Sequence, residues 1–526
     1  MNGTDVAQQV IDQCLAKGVR EFVVCSGARN LPLIRALIRY EDVVIWSHFE
    51  ERAAGFYALG RMMDTREPCA VITTSGTAVA ELLPSVVESY YQGRPLLVIS
   101  ADRPSVFRNS GAPQAIEQLG IFGNYVGTCV DIENSVENLF DGWSGRLPWH
   151  LNVCLSEETT ENPKYTPVEI GEWKLEREKL NLASLVNFFD DSWKGVVICL
   201  GGLEPEDRPV IFDFLKTLKI PVIADPTSGF RELLGDLCIV DSDRFLKYAL
   251  VSKVLRIGEV PVGRFWRDLE DMPQIDVLNL TRTGFSGLAR KCDTIHGDIS
   301  RVIKGMGQVT EVGDVTGILA ENSKRAAQID ELLKRFPDSE PSFVRMTSIY
   351  ATMAESIYLG NSLPIREWGL FAQRDKDTPH EMVRANRGAN GIDGQLATWA
   401  GWTHGIDDAW VFLGDLTTLY DLSAPSLLHD CNAEGRVIVV MNNGGGRIFD
   451  RLPRVQNMEP AQRSIIANEH AFSFESWAMM WGWNYQRVEE VDDLEIEPSN
   501  SPLVVELVPC EKQTAEFWEA YQRLES

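Results

Sequence analysis

Short apolar runs alternate with helical stretches and loops along the whole chain. Near the N-terminus, Val6, Val10, Ile11 and Leu15 recur at helical spacing, which predicts a first helix of the fold and not a signal peptide. The apolar runs that follow end in polar or glycine-containing loops, a rhythm typical of parallel sheets with helices on both faces. In the first part of the chain it predicts strands at residues 21–25, 43–46, 70–73 and 96–100.

The same rhythm restarts twice. Residues 155–190 are acidic, charged and proline-containing, and we interpret them as a linker that includes a charged helical stretch at 174–179. The pattern therefore predicts an α/β fold of three doubly wound parallel-sheet domains, at 1–170, 180–330 and 340–526. The later predicted strands are 195–200, 221–224, 277–280, 410–413, 437–441 and 503–507, and the later predicted helices are 212–218, 323–335 and 346–358.

Composition narrows the class of protein. The 526 residues carry a formal net charge of −26, which disfavours binding to nucleic acid or to anionic lipid. No apolar run approaches the roughly 18 residues that span a bilayer. The ten cysteines form no C-x-x-C pair and several lie in apolar runs, so we expect reduced core thiols and no zinc site. These features predict a cytoplasmic protein.

The strongest chemical signal lies at two predicted strand ends in the last third. Gly414-Asp415 ends one strand, and Asn442, 27 residues after Asp415, ends the next and begins the run Asn-Asn-Gly-Gly-Gly. A carboxylate and an amide oxygen converging there are hard ligands for Mg²⁺, which takes its remaining ligands from water and substrate phosphates. Taken alone, Asp415 is a helix cap and the glycines are a turn. Together they resemble the diphosphate–metal motif of thiamine-diphosphate enzymes.

A second motif resembles the same enzymes. They need a glutamate from another domain to hydrogen-bond the aminopyrimidine ring, and Glu51 in residues 48–60 takes that position. By itself Glu51 is a first-turn helix carboxylate. Over nearly its whole length the chain resembles the MenD family, the 2-succinyl-5-enolpyruvyl-6-hydroxy-3-cyclohexene-1-carboxylate synthases. The matching stretches are 26–33, 47–60, 74–80, 101–104, 111–122, 360–366, 385–394 and 414–449.

The resemblance implies a carboligation. In it, 2-oxoglutarate loses CO₂ on thiamine diphosphate, and the succinyl unit adds to isochorismate for menaquinone biosynthesis. It implies Mg²⁺, with Mn²⁺ as an alternative, held by Asp415, Asn442 and Gly444. The cofactor-binding residues it implies are Glu51, Gly388, Ala389, Gly391, Ile392, Gly414, Asp415, Leu416, Thr417, Asn442 and Gly444, and Ile392 would bend the cofactor.

The resemblance also implies a set of cations for two anionic substrates. Guanidinium groups suit this task because their planar fork binds carboxylates bidentately. Gln114 would contact the reacting substrates, and Ser362 with Arg366 would bind the distal carboxylate of 2-oxoglutarate. Taken singly, each arginine is a surface ion pair, Gln114 is a loop cap and Ser362 is a hydroxyl at a helix start. The implied substrate residues are Arg29, Arg103, Gln114, Arg264, Ser362, Arg366, Arg387, Ile448 and Phe449.

Some positions depart from the family pattern. Ala28, Asn30 and Pro113 replace residues that could hydrogen-bond a substrate, Gly263 replaces a basic residue, and Arg447 is an additional residue after the glycine run. These departures concern substrate detail more than cofactor binding.

Three other functions compete with this interpretation. A related thiamine-diphosphate decarboxylase or carboligase would use another acceptor, and a non-catalytic subunit would keep the fold alone. A nicotinamide dehydrogenase is disfavoured, because no G-x-G-x-x-G follows a strand with an acidic residue about twenty positions on. The resemblance further implies a homodimer in which Glu51 of one chain meets the diphosphate site of another, with a homotetramer common in the family.

Overall fold

A computed structural model gives the structure of most of the chain. It describes residues 3–156, 167–175, 180–189, 193–306, 313–429, 431, 434–452, 455, 457–497 and 499–524. Part of the predicted linker, and residues 176–179 of its charged stretch, lie outside the described residues. No helix among the described residues is long and apolar enough to cross a membrane.

The first sheet uses six parallel strands from the N-terminal third. Its strands are β1 (Glu21–Val24), β2 (Val44–Ser47), β3 (Cys69–Thr73), β4 (Leu97–Asp102), β5 (Cys129–Ile132) and β6 (Trp149–Cys154). The helices of this region are α1 (Gly3–Ala16), α2 (Leu31–Leu37), α3 (Glu51–Thr65), α4 (Thr77–Glu81) and α5 (Leu83–Gln92). The strand order is β2-β1-β3-β4-β6-β5. The four strands predicted here are confirmed, and β5 and β6 were not predicted.

The second sheet has five parallel strands. They are β7 (Val196–Leu200), β8 (Val222–Ala224), β9 (Lys253–Ile257), β10 (Asp276–Thr281) and β11 (Asp293–His296), in the order β11-β10-β9-β7-β8. The helices of this region are α6 (Ala183–Phe189), α7 (Arg208–Leu218), α8 (Phe245–Tyr248), α9 (Arg264–Asp268), α10 (Ile299–Gly305) and α11 (Thr316–Arg335). Helix α6 falls inside the stretch predicted as a linker, so the linker prediction is wrong for those residues. Apolar side chains such as Leu185 and Phe188 of α6 pack in the core of this sheet.

The third sheet has six parallel strands. They are β12 (Ser356–Leu359), β13 (Val383–Arg384), β14 (Ala409–Gly414), β15 (Val437–Met441), β16 (Asn484–Val488) and β17 (Leu503–Leu507), in the order β13-β12-β14-β15-β17-β16. The helices of this region are α12 (Glu340–Tyr350), α13 (Leu363–Phe371), α14 (Gln395–Trp402), α15 (Asp415–Tyr420), α16 (Pro460–Ala467), α17 (Glu475–Met480) and α18 (Glu511–Arg523). Every strand pair in the three sheets is parallel, which confirms the α/β fold class.

One predicted element is wrong in type. The helix predicted at 346–358 ends as α12 at Tyr350, and Ser356–Leu359 forms strand β12 between β13 and β14. All four residues of β12 are buried. A strand buried on both faces shows no alternation of polar and apolar residues, so its pattern cannot be told from that of a buried helix.

The chain divides into two compact units. The first comprises Met1–Arg177, Gly388–Gly405 and Tyr420–Asn432, and the second comprises Glu178–Arg387, Ile406–Leu419 and Ala433–Ser526. The first unit therefore contains the first sheet together with α14, and the second contains the other two sheets. The three domain boundaries inferred from the sequence stay a prediction.

Helices α3 and α14 approach each other closely in the first unit. A Cβ on Gly60 would lie 2.1 Å from the Thr398 carbonyl oxygen, and one on Gly401 would lie 2.1 Å from the Tyr57 carbonyl oxygen. Only glycine fits at such a crossing, because the neighbouring atoms are backbone. Gly60 of the 48–60 motif therefore serves this contact.

A buried ion pair fixes the start of α14. The Asp421 carboxylate accepts hydrogen bonds from Arg52 Nη1 at 2.8 Å, from the Gly394 amide at 2.9 Å and from the Leu396 amide at 3.0 Å. Its side chain is fully buried, and burial raises its pKa, although Arg52 opposes that shift. The pair thus connects the start of α3, where Glu51 lies, with the N-terminal turn of α14.

We expect Asp421→Asn to lower the free energy of unfolding by about 3–5 kcal/mol, because it removes the fully buried counter-charge of Arg52 and leaves that cation only the partly exposed Glu50, 3.4 Å away. Urea denaturation followed by tryptophan fluorescence measures this. The control is Asp64→Asn on α3, the helix that carries Arg52. It removes a 37% exposed partner of Arg61 and should cost about 0–1 kcal/mol. Equal losses of unfolding free energy in the two variants would contradict the stabilising role of the buried Asp421–Arg52 pair.

Candidate active site

The two residues of the predicted metal motif lie side by side. Strands β14 and β15 are parallel neighbours, and Gly414 pairs with Met441. Asp415 and Asn442 directly follow these two residues, so both leave the carboxyl edge of the third sheet at the same level. The structure therefore brings together the carboxylate and the amide that the sequence singled out.

Backbone amides hold the Asp415 carboxylate. Its Oδ1 accepts from the Leu416 amide at 2.6 Å and its Oδ2 from the Gly445 amide at 2.8 Å. The residue is 2% exposed, and burial raises its pKa while these hydrogen bonds oppose the shift. A buried carboxylate held by neutral donors is suited to a cation, because a cation would remove the cost of burying its charge.

Hydrogen bonds also fix the orientation of the Asn442 amide. Its Nδ2 donates to the Phe472 carbonyl oxygen at 2.8 Å and to Glu506 Oε1 at 2.7 Å. Because both amide hydrogens are used, Oδ1 is the group left for a ligand. Glu506, fully buried in β17, was not predicted, although a single carboxylate inside the apolar run 503–507 was a usable signal.

The glycine run has a conformation that other residues would strain. Gly444 has φ +78° and Gly445 has φ +134°, and a Cβ on Gly445 would lie 2.5 Å from the Ala467 carbonyl oxygen. The loop thus exposes backbone beside Asp415 and Asn442, as an approaching phosphate would need. Thr417 is buried in the first turn of α15, and Leu416 is half-buried.

This donor set fits a magnesium diphosphate. It offers a carboxylate, an amide oxygen and backbone, which are hard oxygen ligands and leave positions for phosphate and water. Among the described residues, no group of three or more His, Cys, Asp or Glu side chains is arranged to hold a metal ion. A site completed by a phosphorylated cofactor agrees with that finding.

The additional Arg447 braces the same loop. Its Nε donates to the Asn443 carbonyl oxygen at 3.1 Å and its Nη1 to Glu469 at 3.2 Å. Ile448 and Phe449 follow in a 3₁₀ turn over Arg447–Arg451, where Phe449 is 38% exposed and Ile448 is half-buried. These two apolar side chains therefore remain available to a ligand beside the loop.

Two arginines of the second unit lack carboxylate partners. Arg366 Nη1 donates to the Ser362 carbonyl oxygen at 2.5 Å, and Arg387 Nη1 donates to Asn361 Oδ1 at 2.9 Å. Among the described residues, neither guanidinium has a carboxylate within ion-pair distance. Desolvation and the nearby Arg387 cation lower the pKa of Arg366. Ser362 has φ +72° at the N-cap of α13. Guanidiniums without a carboxylate partner suit an anion.

Arg264 is placed differently. Its Nε lies 3.2 Å from Asp268 Oδ2, one helical turn along α9, and its side chain is 61% exposed. Gly263 precedes it at the N-cap of that helix. Arg264 thus forms a surface ion pair, whereas Arg366 and Arg387 have no carboxylate partner in the part of the chain that the structure describes.

Glu51 is the first residue of α3 in the first unit. The preceding Glu50 caps the helix, because its carboxylate accepts from the amides of Arg52 and Ala53 at 3.0 and 3.2 Å. No other described residue hydrogen-bonds the Glu51 side chain. Desolvation, with repulsion from Glu50 and Glu81, raises the Glu51 pKa. Such a carboxyl keeps its proton to a higher pH than an exposed glutamate does.

The loop that holds Gly388, Ala389, Gly391 and Ile392 also lies in the first unit. The Gly388 and Ala389 amides donate to the two oxygens of Glu88, each at 2.7 Å. Glu88 is 3% exposed on α5 and was not predicted, because nothing in its local sequence marks it. It engages the amides of two predicted cofactor residues, so it shapes the loop. Gly391 is exposed and Ile392 is half-buried.

Arg29 and Arg103 follow two strands of the first sheet. Arg29 Nη1 donates to the Leu155 carbonyl oxygen at 3.1 Å. The Arg103 guanidinium lies 5.2 Å from the centre of the Phe107 ring, and its buried Nε has no hydrogen-bond partner among the described residues. Neither has a carboxylate partner among those residues, so both guanidiniums remain available to an anion.

Gln114 lies in a loop that a second glutamine anchors. Gln114 is exposed with φ +57° and packs against Gly76. Gln118, 1% exposed and not predicted, accepts from the Gly76 amide at 3.0 Å and donates to Asn152 Oδ1 at 2.8 Å. Pro113 is exposed beside Gln114.

Asn30 organises the loop after β1. Its Oδ1 accepts from the Gly27 amide at 2.9 Å, and its Nδ2 donates to the Cys25 carbonyl oxygen at 2.8 Å. It is fully buried, whereas Ala28 is exposed. The amide of Asn30 is therefore used within the protein, and the departure at position 30 has a structural role.

Comparison with known proteins identifies the family. Residues 4–121 match the model of the thiamine pyrophosphate enzyme N-terminal TPP binding domain. Three relatives carry the name 2-succinyl-5-enolpyruvyl-6-hydroxy-3-cyclohexene-1-carboxylate synthase. The Akkermansia muciniphila protein is 43% identical, over 97% of both chains. The Bdellovibrio bacteriovorus protein is 38% identical over 100% of this chain and 99% of its own. The Halorhodospira halophila protein is 30% identical over 93% of this chain and 91% of its own. The chain therefore belongs to the family of thiamine-diphosphate-dependent 2-succinyl-5-enolpyruvyl-6-hydroxy-3-cyclohexene-1-carboxylate synthases.

Proposed function

We propose that this chain decarboxylates 2-oxoglutarate and joins the succinyl unit to isochorismate, which gives 2-succinyl-5-enolpyruvyl-6-hydroxy-3-cyclohexene-1-carboxylate and CO₂ for menaquinone biosynthesis. The observation that carries the substrate assignment is that Arg366 and Arg387 have no carboxylate partner within the described ranges. Two such cations suit the second carboxylate that 2-oxoglutarate has and simpler 2-oxoacids lack. Thiamine diphosphate, when bound, supplies the electron sink for both steps.

The residues of the chain bind and orient the cofactor. Asp415, Asn442 Oδ1 and Gly444 would hold Mg²⁺, and Mn²⁺ could replace it at the same oxygen ligands. Glu51 would hold a proton on the aminopyrimidine ring, and its raised pKa supports that role. The other residues that we propose for cofactor binding are Gly388, Ala389, Gly391, Ile392, Gly414, Leu416 and Thr417.

The substrates would be held by charge. Arg366 with Ser362 and Arg387 would bind the distal carboxylate of 2-oxoglutarate, which leaves Arg29 and Arg103 for the carboxylates of isochorismate. Gln114 would contact the reacting groups, and Ile448 and Phe449 would exclude water beside them. Arg264 has the weakest support, because Asp268 already pairs with it.

Consumption of 2-oxoglutarate by the purified chain, with thiamine diphosphate and Mg²⁺, tests this function. Samples with and without isochorismate are compared, and the loss of isochorismate absorbance is followed. We expect consumption that depends on isochorismate. Consumption without isochorismate would favour a decarboxylase, and binding of the cofactor without either reaction would direct attention to Ala28, Asn30 and Pro113.

Arg366→Ala should lower kcat/KM for 2-oxoglutarate about 10- to 100-fold, mainly through KM, because one hydrogen-bonded charge contributes about 1.5–3 kcal/mol. Initial rates at varied 2-oxoglutarate and saturating isochorismate measure it. Arg301→Ala removes an exposed arginine of the same unit and serves as the control, with kcat/KM expected within about threefold of wild type. An unchanged KM in Arg366→Ala would remove this residue from the substrate site.

The proposal includes a homodimer, with a homotetramer as its larger form. Strand β2 is an edge strand whose Val44 and Ile45 are 46% and 37% exposed, and Phe49, two residues before Glu51, is 69% exposed. Exposed apolar side chains at an unpaired sheet edge favour a covered surface. Light scattering measures the mass in solution.

Mixed dimers test whether two chains share each active site. Glu51→Gln and Asp415→Ala chains, each inactive alone, are co-expressed and purified together by two different tags. If Glu51 of one chain serves the metal site of another, each mixed dimer carries one wild-type site and one doubly substituted site, so about half of the sites are restored. If each chain builds its own site, the mixture stays inactive, and that result would contradict the shared site.

A cytoplasmic location is also proposed. All ten cysteines are free and most are buried, and burial raises the thiol pKa of Cys238 to about 11. Reduced thiols agree with a reducing compartment. Cell fractionation with an antibody against the chain tests the location.

A further inference from the structure

One short segment contacts all three residues proposed for the metal. We call residues 467–474 the bracing segment. Within it, the His470 amide donates to the Gly444 carbonyl oxygen at 3.2 Å, and the Phe472 carbonyl oxygen accepts from Asn442 Nδ2 at 2.8 Å. His470 Nε2 lies 3.3 Å from Asp415 Oδ2. Each metal-site residue thus meets a different group of the same segment.

The position of the imidazole proton follows from its contacts. His470 Nδ1 accepts from the Phe472 amide at 3.3 Å, so the proton of the neutral ring lies on Nε2. The side chain is 5% exposed, and the ring stacks on Phe472 with centroids 5.1 Å apart. Nε2 is buried without an aligned hydrogen bond among the described residues. Asp415 Oδ2, 3.3 Å away, is the acceptor nearest to hydrogen-bond distance of this nitrogen.

Both ends of the bracing segment are anchored. At its start, the Gly446 amide donates to the Ala467 carbonyl oxygen at 2.6 Å, and Arg447 contacts Glu469. At its end, the Phe474 amide donates to Glu506 Oε2 at 2.8 Å, and Glu506 Oε1 also accepts from Asn442. The segment therefore holds the glycine loop on one side and the Asn442 amide on the other.

We propose that the bracing segment positions the metal site and that His470 is its positioning residue for Asp415. The Nε2–H group would hold Oδ2 together with the Gly445 amide, which directs the remaining lone pairs of the carboxylate toward the metal. Partners of this kind commonly change metal affinity about 10- to 100-fold. The inference rests on the proposed function of Asp415 as a metal ligand.

Metal binding by the full chain with thiamine diphosphate tests this proposal without an activity assay. Mn²⁺ is the probe, and its free concentration is read by electron paramagnetic resonance. His470→Phe keeps a flat ring but has no donor, so we expect the Mn²⁺ Kd to rise about 10- to 100-fold. His470→Gln can donate from its amide and should recover most of the affinity.

A second histidine supplies the matched control. His296 Nε2 contacts the Arg282 carbonyl oxygen at 2.7 Å in the second sheet, so His296→Phe removes an imidazole hydrogen bond away from the metal residues. Its Mn²⁺ Kd should stay within about threefold of wild type. Circular dichroism checks the fold of each variant, and His470→Leu replaces His470→Phe if the latter does not fold.

Two results would overturn the proposal. One is a wild-type Mn²⁺ Kd in His470→Phe, and the other is equal weakening in His470→Phe and His470→Gln, since that would show a packing role without a donor. Asp415→Ala separates this from a failure of the proposed function. If Asp415→Ala binds Mn²⁺ with wild-type affinity, the proposed metal site is wrong. If Asp415→Ala loses affinity but His470→Phe keeps it, only the positioning role of His470 is wrong.

Discussion

Glu51→Gln should lower kcat about 10²- to 10⁴-fold, the range that a positioned acid–base group contributes. Glutamine keeps the shape of the side chain but cannot exchange a proton with the cofactor ring. The raised pKa of Glu51 has a structural cause, in burial at the first turn of α3 beside Glu50 and Glu81. Binding of thiamine diphosphate with Mg²⁺ should be unchanged, because the metal residues are untouched. Steady-state rates and calorimetric titration together measure both effects.

Glu50→Gln is the matched control for this prediction. Glu50 is adjacent in sequence, but its carboxylate is occupied as the N-cap of α3. The change should cost about 0.5–2 kcal/mol of stability and leave kcat within a few-fold of wild type. Wild-type turnover in purified Glu51→Gln would remove Glu51 from the chemistry.

Asp415→Ala should weaken Mg²⁺-dependent binding of thiamine diphosphate by more than about 100-fold. Substitution of residues that only hydrogen-bond a metal ligand already lowers metal affinity about 10- to 100-fold. The variant removes the buried carboxylate that directly follows β14. It also leaves the amides of Leu416 and Gly445 without their acceptor. Calorimetric titration of thiamine diphosphate at fixed Mg²⁺ measures the loss.

Asp450→Asn tests whether any negative charge near the loop would have the same effect. Its side chain is 48% exposed in the 3₁₀ turn that follows the glycine run. We expect cofactor affinity within about threefold of wild type, because exposed charges act weakly. If Asp415→Ala and Asp450→Asn behave alike, the metal assignment to Asp415 is contradicted.

The convergence of Asp415 and Asn442 could be predicted from sequence because it needs only two facts. Apolar runs end just before each residue, and the ends of adjacent parallel strands meet at one edge of a sheet. The strand at Ser356–Leu359 could not be predicted in the same way, since its residues are buried on both faces and carry no alternation. The three-sheet fold class followed from the rhythm of the whole chain, so that one error did not affect it.

The residues that support the site were missed for a different reason. His470, Glu88 and Asp421 contact their partners across 25 to 369 positions of sequence. Pairing at that distance is decided by the tertiary fold and leaves no local pattern. Glu506 is the exception, because a carboxylate within a buried strand requires hydrogen-bond partners and could have been questioned from sequence.

The arginine set shows what a resemblance does and does not establish. It selected Arg366 and Arg387, which have no carboxylate partner among the residues that the structure describes, and also Arg264, which pairs with Asp268. Whether a guanidinium is available depends on its carboxylate neighbours, and these are set by the fold. Charge alone therefore identifies candidates, and the contacts separate them.

The most direct test of the proposed synthase uses 2-oxoglutarate labelled with carbon-13 at either C1 or C5. The purified chain is incubated with isochorismate, thiamine diphosphate and Mg²⁺, and the products are read by mass spectrometry. We predict that the C1 label leaves as CO₂ and that the C5 label is retained in a product that also contains the isochorismate ring. Labelled succinic semialdehyde with isochorismate left intact would contradict the carboligation.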